Sequence, residues 1–123
     1  MPDRLIETTD AMRSALVKLH KVAKYHPDDK FMYPGASSEA DRIRFQGYTD
    51  QLIEKLTRTI PGTVRKSEIL DEFRATLVHF DIEDSEDRDR ICHYLENIMD
   101  IFKIHSSDGL LNEWRYGFDP EDL

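Results

Sequence analysis

The stretch from Ser85 to Ile104 constrains this chain most. Ile91, Leu95, Ile98 and Phe102 follow one another at steps of four, three and four, which stacks them on one side of a helix. Tyr94, Met99 and Ile101 widen that side. At ~100° per residue the apolar arc spans about 160°, too broad for a helix with a single neighbour. This helix belongs at the centre of the fold, with other helices packed on more than one side.

The rest of the sequence supplies those neighbours. Leu5, Met12, Leu16, Leu19 and Ala23 fall on one helical face and predict a first helix running from about Leu5. Pro27-Asp28-Asp29 and Tyr33-Pro34-Gly35 combine fixed φ, Asx-turn formers and a permissive glycine, so residues 25–37 read as the longest loop. Ser37 or Ser38 caps a second helix, with Glu39 and Asp41 favoured in its first turn by the helix dipole. Its apolar face is Phe45, Tyr48, Leu52 and Leu56, flanked by Ile53 and Ile60, and Pro61-Gly62 stops it. Thr63 or Ser67 caps a third helix with the stripe Leu70, Phe73, Leu77, Phe80, and Asp84 or Ser85 caps the central one.

After Ile104, Ser106-Ser107-Asp108-Gly109 restarts the chain as a short helix, Leu110 to Tyr116. Asp108 or Ser107 caps it, Trp114 anchors it and Gly117 closes it in a left-handed conformation. No stretch alternates with period two for long enough to predict a strand. The expectation is one all-α domain over residues 1–123: four main helices in a bundle, a short C-terminal helical hook, and a loose tail at 119–123.

Charge narrows the function classes. With 25 Asp plus Glu against 17 Lys plus Arg, the formal charge is −8. Such a field repels phosphates, so nucleic acids and anionic membranes are disfavoured, whereas a basic protein would be steered towards the surface. The one cysteine, Cys92, excludes an intramolecular disulfide, and the start Met1-Pro2-Asp3-Arg4 does not resemble a secretory leader. No apolar run approaches the ~20 residues of a membrane span. The expected compartment is the cytoplasm.

Several constellations suggest chemistry. Asp89, His93, Glu96 and Asp100 share a face of the central helix, a conceivable metal-ligand row, but that face lies opposite the apolar arc and reads better as a solvated one. Asp81, Glu83, Ser85 and Asp87 imitate the opening of a calcium loop, then fail where Glu86 replaces the glycine and Cys92 the closing glutamate. Cys92 and His93 diverge by ~100° on a helix and do not face each other, so Cys92 is expected to be buried and inert. His20, His26, His79 and His105 share no local spacing, and the carboxylates Asp81 and Asp108 could meet only through the fold. Serine-nucleophile, phosphate-loop and zinc patterns are absent from the sequence. Neither a metal nor another cofactor is expected.

Tyr33-Pro34-Gly35, the run Glu86-Asp87-Arg88 through Cys92 and Tyr94 to Ile98-Met99-Asp100-Ile101, and the segment Ser106 to Phe118 together resemble a small family of uncharacterised bacterial all-helical proteins of about this length. The resemblance implies a helical fold and a bacterial source, and it brings no catalytic residues with it.

Two functional expectations follow. The first is a non-enzymatic protein-interaction module, such as a toxin-neutralising immunity or accessory protein. Glu83, Asp84, Glu86 and Asp87 would steer a basic partner, and an exposed aromatic such as Tyr33 or Tyr116 would anchor it. The alternative is an enzyme or small-ligand binder with a pocket between the Tyr33 loop and the C-terminal hook, lined by Tyr33, Asp108, Asn112 and Trp114. Homodimerisation is a third reading.

Overall fold

The computed structural model describes residues 3–117. Its elements, in order, are strand β1 (Leu5–Glu7), helix α1 (Asp10–Lys21), a 3-10 turn (Asp29–Phe31), α2 (Glu39–Thr57), β2 (Thr63–Arg65), α3 (Lys66–Leu77), a second 3-10 turn (Val78–Phe80), α4 (Ser85–Ile101) and α5 (Leu110–Tyr116). The fold is all-α apart from one ribbon, in which β1 pairs antiparallel with β2 in the register Leu5 to Arg65. Along the bundle α1 lies against α2 and α4, α2 against α3, and α4 carries α5.

The central position of α4 follows from its sequence. Ile91, Leu95, Ile98 and Phe102 are all buried, and so are Tyr94 and Met99. The Asp84 side chain caps the helix by accepting from the Asp87 amide at 3.1 Å. Ser38 does the same for α2 through the Asp41 amide. In α3 the stripe Leu70, Phe73 and Leu77, continued by Phe80, points inward.

An aromatic cluster joins the helices at one end. Tyr25 lies 5.4 Å from Phe45 and 5.0 Å from Tyr94 between ring centres, and Phe45 lies 5.1 Å from Phe80. The polar ends of Tyr25 and Tyr94 are satisfied inside the protein. Tyr25 Oη lies 2.6 Å from Thr49 Oγ1, and the Tyr25 amide donates to Tyr94 Oη at 3.0 Å. The wholly buried Lys24 forms an ion pair with Asp50 at 2.7 Å and donates to the carbonyls of Val22 and His20.

Four local expectations are corrected. Helix α1 begins at Asp10, capped by Thr9, and not near Leu5, which is an exposed strand residue. The strands were invisible because each is three residues long, shorter than any alternation that could announce it. Neither Thr63 nor Ser67 caps α3: Thr63 is in β2, and both the amide and the hydroxyl of Ser67 donate to Asp3, pinning the first described residue to the start of α3. Finally, the residue before α5 is Gly109, at φ +87°, with no side-chain cap of its own, although Ser107 Oγ accepts from the Leu111 amide.

Candidate functional site

The 3-10 turn in the long loop is fixed at both ends. Asp28 and Tyr33 exchange backbone hydrogen bonds of 2.9 and 3.0 Å, the Asp28 side chain accepts from the Lys30 amide, and Met32 closes the turn in the left-handed region at φ +55°. Two side-chain links then clamp the turn onto α4. Tyr33 Oη donates to Asp87 Oδ1 at 2.8 Å, and Arg90 donates to Asp28 Oδ2 at 3.1 Å. The Arg90 guanidinium also lies 5.1 Å from the ring centres of both Tyr33 and Tyr94.

This clamp holds two large apolar side chains in water. Phe31 is 54% and Met32 88% exposed, while their neighbour Tyr33 is buried. Between them and the outer face of α4 runs an open cleft of about 340 Å³. Phe31, Met32 and Tyr33 form one wall, and Glu86, Asp89, His93 and Glu96 of α4 form the other. The Phe31 ring leans on His93 at 4.8 Å. From α5, Arg115 reaches the same cleft and bonds Asp89 at 3.2 Å and Glu96 at 3.5 Å.

Burial sets the protonation of the groups around the clamp. It raises the Asp87 carboxyl to about 6, against the lowering effect of the Tyr33 hydrogen bond, with the charges of Asp84 and Glu83 adding to the rise. Burial also pushes the Tyr33 hydroxyl far above its usual range, and its bond to Asp87 acts in the same direction, so Tyr33 remains a donor. His93 is lowered by burial and by the nearby Arg90, which favours a neutral ring against Phe31. The Cys92 thiol, buried in the core, is pushed up to about 12 and is no nucleophile at neutral pH.

The anticipated residues are distributed unevenly around this site. Tyr33 lines the cleft but is buried, so it secures the turn and does not project as an anchor. In the acidic run, only Glu86 faces the cleft. Glu83 is bound by Arg44 at 3.2 Å, Asp84 is spent on the helix cap, and Asp87 is turned inward at 4% exposure, away from any steering surface. Tyr116 is exposed beside Arg115.

Tyr33 and the hook residue Arg115 both line this cleft, whereas Asp108, Asn112 and Trp114, anticipated beside Tyr33, are placed elsewhere. Trp114 donates its indole N–H to Asp81 at 2.8 Å and carries the Arg88 guanidinium 4.4 Å over its ring. Asp108 is paired with Lys66 at 3.0 Å, so Asp81 and Asp108 serve different partners. Asn112 lines a second cleft of about 420 Å³, together with Ser106 and Ser107. Among the described residues, no group of three or more His, Cys, Asp or Glu side chains is placed to hold a metal ion. Asp89 and Glu96 of the carboxylate row are instead bridged by Arg115.

Phe31, Met32 and Arg90 were not singled out in the sequence. The available signal was Phe31-Met32 itself, an apolar pair standing between Asp28-Asp29-Lys30 and Pro34-Gly35, where no helix or strand needs it.

Similarity to known proteins stops at the fold. A solved structure of a DUF3571 family protein from Acinetobacter baumannii AYE superposes with a TM-score of 0.71 at 26% sequence identity, covering 86% of this chain and 89% of that one. No curated protein matches the chain. Among the described residues no helix is long and apolar enough to cross a membrane. The family model for the "Domain of unknown function (DUF4844)" matches residues 7–119, nearly the whole of the bundle and its hook, and the chain belongs to that family.

Proposed function

We propose that this protein is a non-enzymatic interaction module that receives a basic, apolar-tipped segment of another protein in the cleft between the Phe31-Met32 turn and α4. The observation that carries this reading is the exposure of Phe31 and Met32 on a turn clamped by Tyr33–Asp87 and Asp28–Arg90. A turn whose backbone is already fixed loses little further backbone entropy when a partner covers it, and the flexible Met32 side chain adapts to varied shapes. Glu86 opposite them, which has no ion pair among the described residues, supplies the complement for a lysine or arginine beside the Arg115-bound Asp89 and Glu96, in keeping with the overall charge of −8. A toxin-neutralising or accessory role in the cytoplasm suits such a module.

The test is capture from a bacterial lysate by the tagged protein and by its Phe31→Ser/Met32→Ser variant, at about 0.05 and 0.5 M salt. A basic protein retained by the wild type at low salt, weakened at high salt and lost by the variant supports the reading. Equal capture by both overturns it.

One observation favours a second reading, a small-ligand site in the same cleft. Carboxylates and the guanidinium groups of Arg90 and Arg115 converge there within about 340 Å³, an arrangement suited to a zwitterion. Against it, both guanidinium groups are already ion-paired and the cleft is open.

A further inference from the structure

A second surface carries the opposite charge. Helices α1 and α2 run antiparallel, as the cross-links Arg13 to the Ile60 carbonyl, His20 to Glu54 and Lys24 to Asp50 show. Between them lies a shallow groove of about 530 Å³. Arg13, His20, Lys21 and Arg58 stand around it, Val17 is exposed in it, and its lining holds one carboxylate, Glu54. On a chain of formal charge −8, this is a local reversal of sign.

The pairing pattern makes the reversal informative. Every arginine of this protein except Arg58 has a partner for its guanidinium: Arg42, Arg44, Arg65, Arg74, Arg90 and Arg115 form ion pairs, and Arg4, Arg13 and Arg88 donate to backbone carbonyls. Arg58 is exposed at the end of α2, and its side chain has no hydrogen-bond or ion-pair partner among the described residues. Lys21, across the groove on α1, and Lys18, one turn before it, are equally unpaired. Glu54, the carboxylate within reach, is held by His20 at 3.1 Å. Lys21 and Arg58 thus remain available in the groove, whereas most other basic side chains of the described residues are ion-paired or bound to carbonyls.

We infer that the α1–α2 groove is a docking surface for an acidic helical segment of a partner protein, whose apolar stripe covers Val17 and whose flanking carboxylates pair with Lys21 and Arg58. A groove between antiparallel helices accepts a third helix along its length, and the exposed valine provides the apolar contact such a helix requires. Phosphate polymers fit less well. They need a basic track that continues along the backbone, whereas Asp10 and Asp50 bracket this patch on the same two helices. The surface is distinct from the Phe31-Met32 cleft and does not depend on the reading proposed for it.

The experiment uses a fluorescein-labelled synthetic helix with leucines on one side and glutamates flanking them, and a control in which glutamines replace the glutamates. Fluorescence anisotropy should report saturable binding of the acidic helix to the purified protein, weakened roughly tenfold between about 0.05 and 0.5 M salt as the charges are screened. Binding should be lost in Lys21→Glu/Arg58→Glu and weakened in Val17→Ser. Met32→Ser should leave it unchanged, which separates this groove from the cleft. These positions are on the surface, and unchanged far-ultraviolet circular dichroism and melting temperature confirm that each variant is folded. No binding of the acidic helix, equal binding of the glutamine control, or equal binding by the charge-reversed variant overturns the inference. So does retention of an anionic vesicle or a single-stranded oligonucleotide in preference to the peptide. Self-association abolished by Arg58→Glu would assign the groove to a second copy and overturn the foreign partner.

Discussion

Tyr33 and Asp87 meet across 2.8 Å although 54 positions separate them in sequence, and with the Arg90–Asp28 pair this hydrogen bond holds a turn rich in polar residues against the central helix. It also places a carboxyl group inside the protein, where its titration becomes visible in stability.

Asp87 has a folded-state pKa of about 6, above its ordinary value of 3.8. Between those two values the folded state binds more protons than the unfolded one, so stability falls as pH rises through this window. The favourable contribution is fully present below about 4 and lost above about 6. Asp87→Asn should remove that decline, by at most about 3 kcal/mol for a shift of this size. Urea denaturation at pH 4, 5, 6 and 7 checks it: parallel pH profiles for the wild type and Asp87→Asn would contradict the assignment. Tyr33→Phe, which deprives the buried carboxylate of its donor, should cost about 1–3 kcal/mol at pH 7.

Lys24 is 0% exposed and its ammonium group is shared by Asp50 and two carbonyls at the C-terminal end of α1, those of His20 and Val22. Lys24→Met should destabilise by about 2–4 kcal/mol, the lower part of the range for breaking buried pairs because Asp50 retains some solvent. Adding Asp50→Leu should restore part of the loss, since the unpaired carboxylate then disappears. A double-mutant cycle by chemical denaturation measures this, and strictly additive losses would show that the pair is not coupled.

Trp114 fixes the hook through its indole N–H to Asp81 and through Arg88, which stacks on the ring and donates to the Trp114 carbonyl at 2.7 Å. Arg88→Ala should loosen α5, costing about 1–2 kcal/mol and shifting the emission of the single tryptophan to the red. An emission maximum identical to the wild type would show that Arg88 does not hold the hook.

Gly47 sits in the middle of α2, and a Cβ built there meets nothing within 4 Å. Gly47→Ala should stabilise the protein by up to about 1 kcal/mol through helix propensity. Thermal melting gives the answer, and a lower melting temperature would reveal a demand for glycine that the isolated fold does not explain.

Cys92 should be silent towards thiol reagents in the native state and react only after unfolding, because it is buried and its thiol is pushed up to about 12. Labelling with an aromatic disulfide at pH 8, with and without denaturant, distinguishes the states. Rapid native labelling would mean that α4 opens locally.

The sequence was informative where side chains obey a helical period. The buried row of α4, the Ser38 and Asp84 caps, the inward stripe of α3 and the glycine that closes α5 at φ +83° follow from spacing and local backbone chemistry. It was uninformative where the deciding partner arrives from far away. Nothing in the run Glu83 to Asp87 distinguishes the residue that turns inward, because Asp87 is selected by Tyr33. Lys24 reads as a solvated lysine until Asp50 is brought beside it. The cleft shares this character: Phe31 and Met32 are exposed only because the loop around them is clamped to α4.

The small ribbon has a consequence for how the chain is made. Leu5 has no strand partner until Arg65 has left the ribosome, so throughout synthesis of α1 and α2 the leading segment waits unpaired. Local helical contacts must form first and hold that segment nearby, since closing so long a loop brings no return until both strands exist. The ribbon is thus a seal applied after the bundle has begun to assemble, and a chain shortened to end just before β2 would hold helices that lack their fastening.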